Sequence, residues 1–254
     1  MNIPILTYHQ VTPRPLPGLE KYCLTPQAFS RQMSWLALRT YTPVTLDQLL
    51  AYRKGQGILP ERPVVITFDD GYQDLIQFAL PSLEKHSFTA IFFLVAGLIG
   101  RTTEWEAKRV PLMDWAEARQ LVIRGFQIGA HSLNHAHLDQ IPAEKVDKEL
   151  NGARQVIEEE LNLAIRHLAY PYGGYTQAVQ SIAVQAGYDT ACSVRVGLSS
   201  PEDDIYALHR IPLYAHDSLL DFSIKLRTAR NLRKTVSLVL SSWQQSVVRR
   251  MRNI

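Results

Sequence analysis

The chain has 254 residues, 27 Lys and Arg against 24 Asp and Glu, 46% hydrophobic residues and 20% charged ones, the balance of an ordinary globular protein. It excludes a mainly disordered chain, contains no run of ~18 uncharged apolar residues to cross a membrane as a helix, and has only Cys23 and Cys192, too few for a disulfide framework. No acidic residue follows Asp221, so residues 1–221 hold 19 of the basic and all 24 of the acidic side chains; a mildly acidic body carrying a basic tail argues against nucleic acid as the partner of the body.

In chain order, the opening MNIPILTYHQ lacks a basic n-region and an apolar h-region, so the expected location is the cytoplasm. A β-branched and aromatic run predicts a strand over Ile3–Tyr8, ending at His9. Thr25-Pro26 supplies an N-cap with Pro at the first helical position, for a helix to Leu38, and Thr45 caps a second helix to Arg53, stopped by Gly55. Strands follow at Val64–Phe68, ending in Asp69-Asp70-Gly71, and at Ala90–Val95. Asp114 opens a helix closed by Gly125, and the strand Phe126–Ala130 runs into His131-Ser-Leu-Asn-His135. Pro142 starts a long charged helix to about Leu161, and the strand His167–Tyr170 enters Pro171-Tyr172-Gly173-Gly174. A helix over Gln177–Gln185, strands at Thr190–Val194 and Leu208–Leu213, and a helical tail from Asp217 complete the chain. Alternating helices and nearly continuous apolar strands imply an α/β fold with a mainly parallel sheet, and seven strands in some 220 residues fit a barrel better than an open sheet. The expected organisation is one catalytic domain over residues 1–221 and a helical appendix over 222–254.

Four predicted strands end in polar sets, and the C-terminal ends of parallel strands are where such folds place ligands and catalysis. The adjacent carboxylates Asp69 and Asp70 repel unless a cation or a shared proton compensates; taken alone, a turn with an Asp helix cap explains them as well. His131 and His135, four apart, are expected on one face of a helical turn with both imidazoles on one ion, and Asp70 would complete a two-His-one-carboxylate set. The alternative is a pair of loop-capping histidines, and His137 falls on the wrong side of such a turn for the same ion. The Tyr170-Pro171-Tyr172-Gly173 segment reads as a structural turn or as the wall of a sugar-sized pocket presenting backbone N–H groups to an oxyanion. His9 alone reads as a structural histidine, yet four such sets at one rim point to an active site.

Together, Thr67-Phe68-Asp69-Asp70-Gly71, His131-Ser-Leu-Asn-His135 and Tyr170-Pro171-Tyr172-Gly173 resemble the polysaccharide deacetylases, carbohydrate esterases with a NodB-type domain. The resemblance spans roughly residues 1–215 and implies a distorted seven-stranded (β/α) barrel and a divalent metal, most often Zn2+, that serves removal of an N-acetyl group from a sugar. It also implies Asp69 as general base and Asp70, His131 and His135 as metal ligands. Two features depart from the family pattern. Its third motif begins with an Arg that fixes the catalytic Asp, where this chain has Ala169, and its closing Leu-x-His, the source of the general acid, is not evident near the C-terminus. A branch acting on poly-N-acetylglucosamine is circularly permuted, with that motif at the N-terminus; Leu6-Thr7-Tyr8-His9 matches it and makes His9 the candidate acid. Leu208-His209 is the rival match, and Arg210 is the candidate to replace the missing Arg beside Asp69.

The implied partner is an N-acetylated carbohydrate, free or lipid-linked. Alternatives are a deformylase or other amide hydrolase on the same barrel, and an inactive sugar-binding module. In the tail, Leu232, Val236, Val239, Leu240, Trp243 and Val247 form an apolar helical stripe between basic flanks. It is expected either to dock on the barrel or to lie on anionic lipid at the inner face of the membrane, a peripheral contact.

Overall fold

The computed structural model describes residues 1–230. Seven parallel strands close into a barrel: β1 (Ile5–Tyr8), β2 (Pro63–Phe68), β3 (Ile91–Leu94), β4 (Gln127–Ala130), β5 (His167–Ala169), β6 (Thr190–Val196) and β7 (Leu208–Pro212). Each pairs with the next, and β1 closes the ring by pairing with β7 on one side (Leu6 with Ile211) and β2 on the other (Leu6 with Ile66). The short strand Thr42–Pro43 extends the sheet beside the start of β2, and Gln10–Val11 pairs with Cys23–Leu24 above β1. All seven predicted strands are present, with ends shifted by up to two residues.

The alternation of side chains along a strand divides the hydrophobic residues into two clusters. Ile5, Val65, Ile91, Phe93, Ala169, Cys192 and Leu208 point into the barrel, together with Val44, Leu46 and Leu49. Leu6, Tyr8, Val64, Ile66, Phe68, Phe92, Ile128, Leu168 and Ile211 point outward into the larger cluster under the helices. The interior is filled rather than hollow. A Cβ on Gly129 would stand 2.4 Å from the Phe93 ring, so the β4 position facing that ring has no room for a side chain.

Helices occupy Pro26–Leu38, Leu46–Arg53, Asp74–Phe78, Leu80–Lys85, Trp115–Ile123, Ala143–Leu161, Gln177–Gln185 and Leu219–Thr228. Thr25, Thr45 and Asp114 accept hydrogen bonds from N3 backbone N–H groups, the last two in full capping boxes with Gln48 and Glu117, which is why these starts were readable from sequence. The final helix begins at Leu219, two residues later than expected, with Ser218 as its cap and Asp221 at N3. The expected domain boundary at 221/222 falls inside this helix, whose Phe222 and Leu226 are buried in the outer cluster. The expected apolar stripe over 232–248 lies outside the described residues. No described helix is long and apolar enough to cross a membrane.

Candidate functional site

The same alternation builds the site. On β1, Ile5 faces inward and Thr7 and His9 follow on the same side; on β2, Val65 and Thr67 precede Asp69; on β4, Gly129 precedes His131; on β7, Leu208 precedes Arg210. Four strands thus deliver polar side chains to the C-terminal end of the barrel, where the apolar filling stops. A cavity of about 420 Å³ opens there, lined among others by His9, Asp69, Asp70, His131, His135, Tyr172 and Arg210.

Asp69 is 3% exposed and Arg210 2%. The guanidinium donates Nη1–H to Oδ1 and Nη2–H to Oδ2, both at 2.7 Å, a bidentate pair. Arg210 is itself steered by its Nε–H to the Ser193 carbonyl (2.9 Å) and by Nη1 to the Thr67 hydroxyl (3.2 Å). Burial raises the Asp69 pKa, but the charges of Arg210 and His131 and the Arg210 hydrogen bonds outweigh it, so the carboxyl lies below its ordinary value and is ionised near neutral pH. The arginine that the sequence lacks at position 169 is therefore supplied from β7, two strands round the barrel.

Asp70 and Gly71 both have φ of +74°, a left-handed turn that Gly takes freely and Asp tolerates. This turn swings the Asp70 carboxylate toward the histidines: Oδ1 lies 3.3 Å from His131 Nε2 and 3.2 Å from His135 Nε2. His131 and His135 do not share a helical turn. They flank a loop in which Ser132 (φ +60°) and His135 (φ +58°) are left-handed, and it is these two residues that bring both Nε2 atoms to one point.

Asp70, His131 and His135 are all buried and offer ligand atoms within 4.8 Å of one another. His131 Nδ1 lies 2.7 Å from the Ala169 carbonyl, an acceptor, so Nδ1 carries a proton and Nε2 is the nitrogen turned to the Asp70 oxygen. An imidazole nitrogen that close to a carboxylate oxygen needs a positive charge there, either its own proton or a metal cation shared with Asp70. Two tetrahedral ligand atoms on one Zn2+ stand ~3.3 Å apart, given bond lengths of ~2.0–2.1 Å. The donor set, its spacing and the backbone contact behind His131 all fit a divalent cation. Burial raises the Asp70 pKa, yet the hydrogen bonds from His131 and His135 bring it well below the ordinary carboxylate range.

Aromatic rings fix the walls. Trp105 stacks on His135 with centroids 4.0 Å apart, and Tyr172 (φ +56°) sits edge-on to His135 at 4.6 Å and flat on His137 at 3.7 Å. His137 stands outside the three-residue donor group and serves as the platform under Tyr172. His9 lies across the cavity against Tyr22, with centroids at 5.0 Å. His209 points the other way on β7: its Nδ1 is 3.0 Å from Asp203 Oδ2 and it does not line the cavity.

Sequence reasoning missed Glu149. Its Oε2 accepts from the Leu133 N–H (3.0 Å) and the Asn134 N–H (2.8 Å), and its Oε1 from Asn134 Nδ2 (2.8 Å), so one carboxylate clamps the tip of the histidine loop. The signal was present: Glu149 stands three after Val146 and four before Ala153, a charge on the buried stripe of its helix. Replacing Glu149 with Ala strands two backbone donors, and should cost about 1–3 kcal/mol of stability and about 10–100-fold in metal affinity. Thermal melts with and without added Zn2+ check this. An unchanged zinc affinity would mean that the loop holds its shape unaided.

Residues 56–191 match the family model for polysaccharide deacetylase, a span that includes Asp69, Asp70, His131, His135 and Tyr172 but neither His9 nor Arg210. YxkH of Bacillus subtilis is 26% identical over 213 residues, covering 83% of this chain and 71% of that protein. The poly-beta-1,6-N-acetyl-D-glucosamine N-deacetylase of Staphylococcus aureus is 24% identical over 199 residues, 76% of this chain and 68% of that protein. Among solved structures, the Streptococcus pyogenes deacetylase PplD in complex with acetate superposes with a TM-score of 0.79 at 22% identity, over 91% of this chain and 99% of that one. IcaB from Ammonifex degensii gives 0.77 at 23% identity, over 90% and 97%. At these identities the structural likenesses establish the barrel.

Proposed function

Since the chain belongs to the polysaccharide deacetylase family, we propose that it hydrolyses the acetamide of an N-acetylated glycan, with Asp69 as general base and His9 as general acid. The observation that carries this reading is the pairing of an ionised, Arg210-locked carboxylate with a buried Asp-His-His donor set in one sugar-sized cavity. The curated relative named for poly-beta-1,6-N-acetyl-D-glucosamine supports an N-acetylglucosamine polymer as the substrate class.

Asp70, His131 and His135 would hold a divalent cation, Zn2+ by the chemistry of the set; when bound it supplies Lewis acidity, polarising an acyl carbonyl and easing deprotonation of a water. Asp69 accepts the proton of the attacking water on a carboxylate oxygen, and the bidentate Arg210 keeps that carboxylate in one orientation. The backbone N–H at Tyr172 is our assignment for the group that steadies the carbonyl oxygen as negative charge develops on it. His9 then donates a proton to the sugar nitrogen as the C–N bond breaks, so that water and acetamide become acetate and a sugar amine. That donation matters because an amide anion is a very poor leaving group. The outward position of His209 favours His9 in this role.

His9→Ala should lower acetamide hydrolysis about 10²–10³-fold, and hydrolysis of an activated acetyl ester far less, because the ester leaving group needs no proton. His209→Ala should affect both only slightly. Steady-state rates on the two substrates check this, and the reverse ranking would move the acid to His209. The reading as a whole is tested by assaying acetate and formate release from a panel of N-acetylated and N-formylated sugars and oligosaccharides. Acetate from β-1,6-linked N-acetylglucosamine oligomers is expected. Formate release in preference to acetate would make the chain a deformylase, and release of neither would leave a binding module.

A further inference from the structure

Resting on the deacetylase reading above, we propose that Glu106 forms an ammonium-binding subsite, through which the cavity selects amino-sugar units that already carry a free amine. The segment that presents Glu106 is tied down beside the Asp70–Gly71 turn. Thr102 bridges Pro111 and Tyr72 bridges Leu112, while the Met113 N–H donates to the Gly71 carbonyl at 2.9 Å. Trp105 anchors the segment on His135, and the next residue, Glu106, lines the same cavity as Asp70.

Glu106 belongs to neither of the two charge sets of that cavity. Asp69 is matched by Arg210, and Asp70 faces the two imidazoles with which it would hold the metal. The nearby Glu104 is 3.6 Å from Arg109. Glu106 has no cationic partner among the described residues, although it stands in a cavity that already holds two carboxylates, and it is not a member of the donor group that could hold a metal. A carboxylate in that position is complementary to a cation brought by the ligand. Two further lining residues, Tyr22 and Tyr214, carry Lys21 Nζ over their rings at 4.7 Å and 5.2 Å, but Lys21 itself does not line the cavity.

The reaction makes such a cation. Each acetamide hydrolysed leaves a sugar amine, which takes up a proton near neutral pH, so a glycan under attack becomes positively charged next to units still to be processed. Glu106 would hold that ammonium. Partly deacetylated chains then bind better than fully acetylated ones, and a fully deacetylated oligomer acts as a competitive inhibitor.

The test is calorimetric titration of the zinc-loaded full chain, as wild type, Glu106→Gln and Glu106→Asp, with a β-1,6-linked glucosamine trimer and with its N-acetylated counterpart. Glu106→Gln should weaken binding of the amine trimer about tenfold relative to the acetylated one, Glu106→Asp should keep most of the preference, and raised salt should shrink the difference. The proposal is overturned if wild type does not bind the amine trimer, if Glu106→Gln binds it equally well, or if that variant loses its zinc, which would place the carboxylate in the metal set. Acetate release by wild type decides the deacetylase reading separately. Release with no Glu106 effect sinks only the subsite, and a Glu106 effect without release sinks only the deacetylase reading.

Discussion

Asp69→Asn should lose about 10²–10⁴ in turnover while still binding one equivalent of metal, because the base is removed and Asp70, His131 and His135 remain. The substitution nearly preserves shape, but it takes away the partner of a guanidinium that is 2% exposed. Stranding a buried charge typically costs about 3–5 kcal/mol, part of which the Asn side-chain oxygen offsets by accepting one of the two hydrogen bonds. Lower stability is therefore expected together with lost turnover, and the two must be separated. Turnover is measured well below the melting transition, on protein whose zinc content has been confirmed. Unchanged turnover in a zinc-replete, folded sample would remove Asp69 from the role of base.

Arg210→Ala carries the second large effect. It deletes four hydrogen bonds, to both Asp69 oxygens, Thr67 and the Ser193 carbonyl, and leaves the Asp69 carboxylate buried without its cation. A loss of about 3–5 kcal/mol is expected, together with a rise in the Asp69 pKa, since burial raises it and Arg210 is the leading influence holding it down. The pH sign follows. Asp69, with its pKa depressed in the folded chain, contributes stability at pH above its unfolded value, and that contribution is lost as pH falls through the folded one. In Arg210→Ala the acid limb of the rate profile should move to higher pH, because the base protonates more readily. The double variant Asp69→Asn/Arg210→Ala should be more stable than the sum of the two single changes predicts, since it buries no unpaired charge. Strict additivity of the two effects on stability would show that the pair is not coupled. Urea melts of the four proteins supply the comparison.

Much of the fold was legible because local and global signals agree in it. Apolar runs mark the barrel strands, β-branched and aromatic in β1, β2 and β3, and the capping side chains of Thr25, Thr45 and Asp114 mark where helices begin. The helices Asp74–Phe78 and Leu80–Lys85 were not read, being short, without side-chain caps and joined at Ala79. Period-two alternation from the strand interiors carries His9, Asp69, His131 and Arg210 to one end of the barrel, so the placement of these residues follows from strand register. The geometry of the histidine loop was not legible. Left-handed φ at Ser132 and His135 has no sequence signature, since neither is Gly or Asn, and tertiary contacts such as the Glu149 clamp impose it. Trp105 and Glu106 escaped for a related reason. Their segment follows neither helix nor strand period, and its position depends on bridges to residues distant in sequence.

The most direct test of the account is a zinc titration of chelator-stripped protein, followed by acetate release from an N-acetylglucosamine oligomer. The account predicts that release is absent from the stripped protein, rises in proportion to added Zn2+ and levels off at one equivalent, and that His131→Ala gives no such rise. Acetate release that survives stripping, or one equivalent of tightly bound zinc with no release from any N-acetylated glycan, would contradict it.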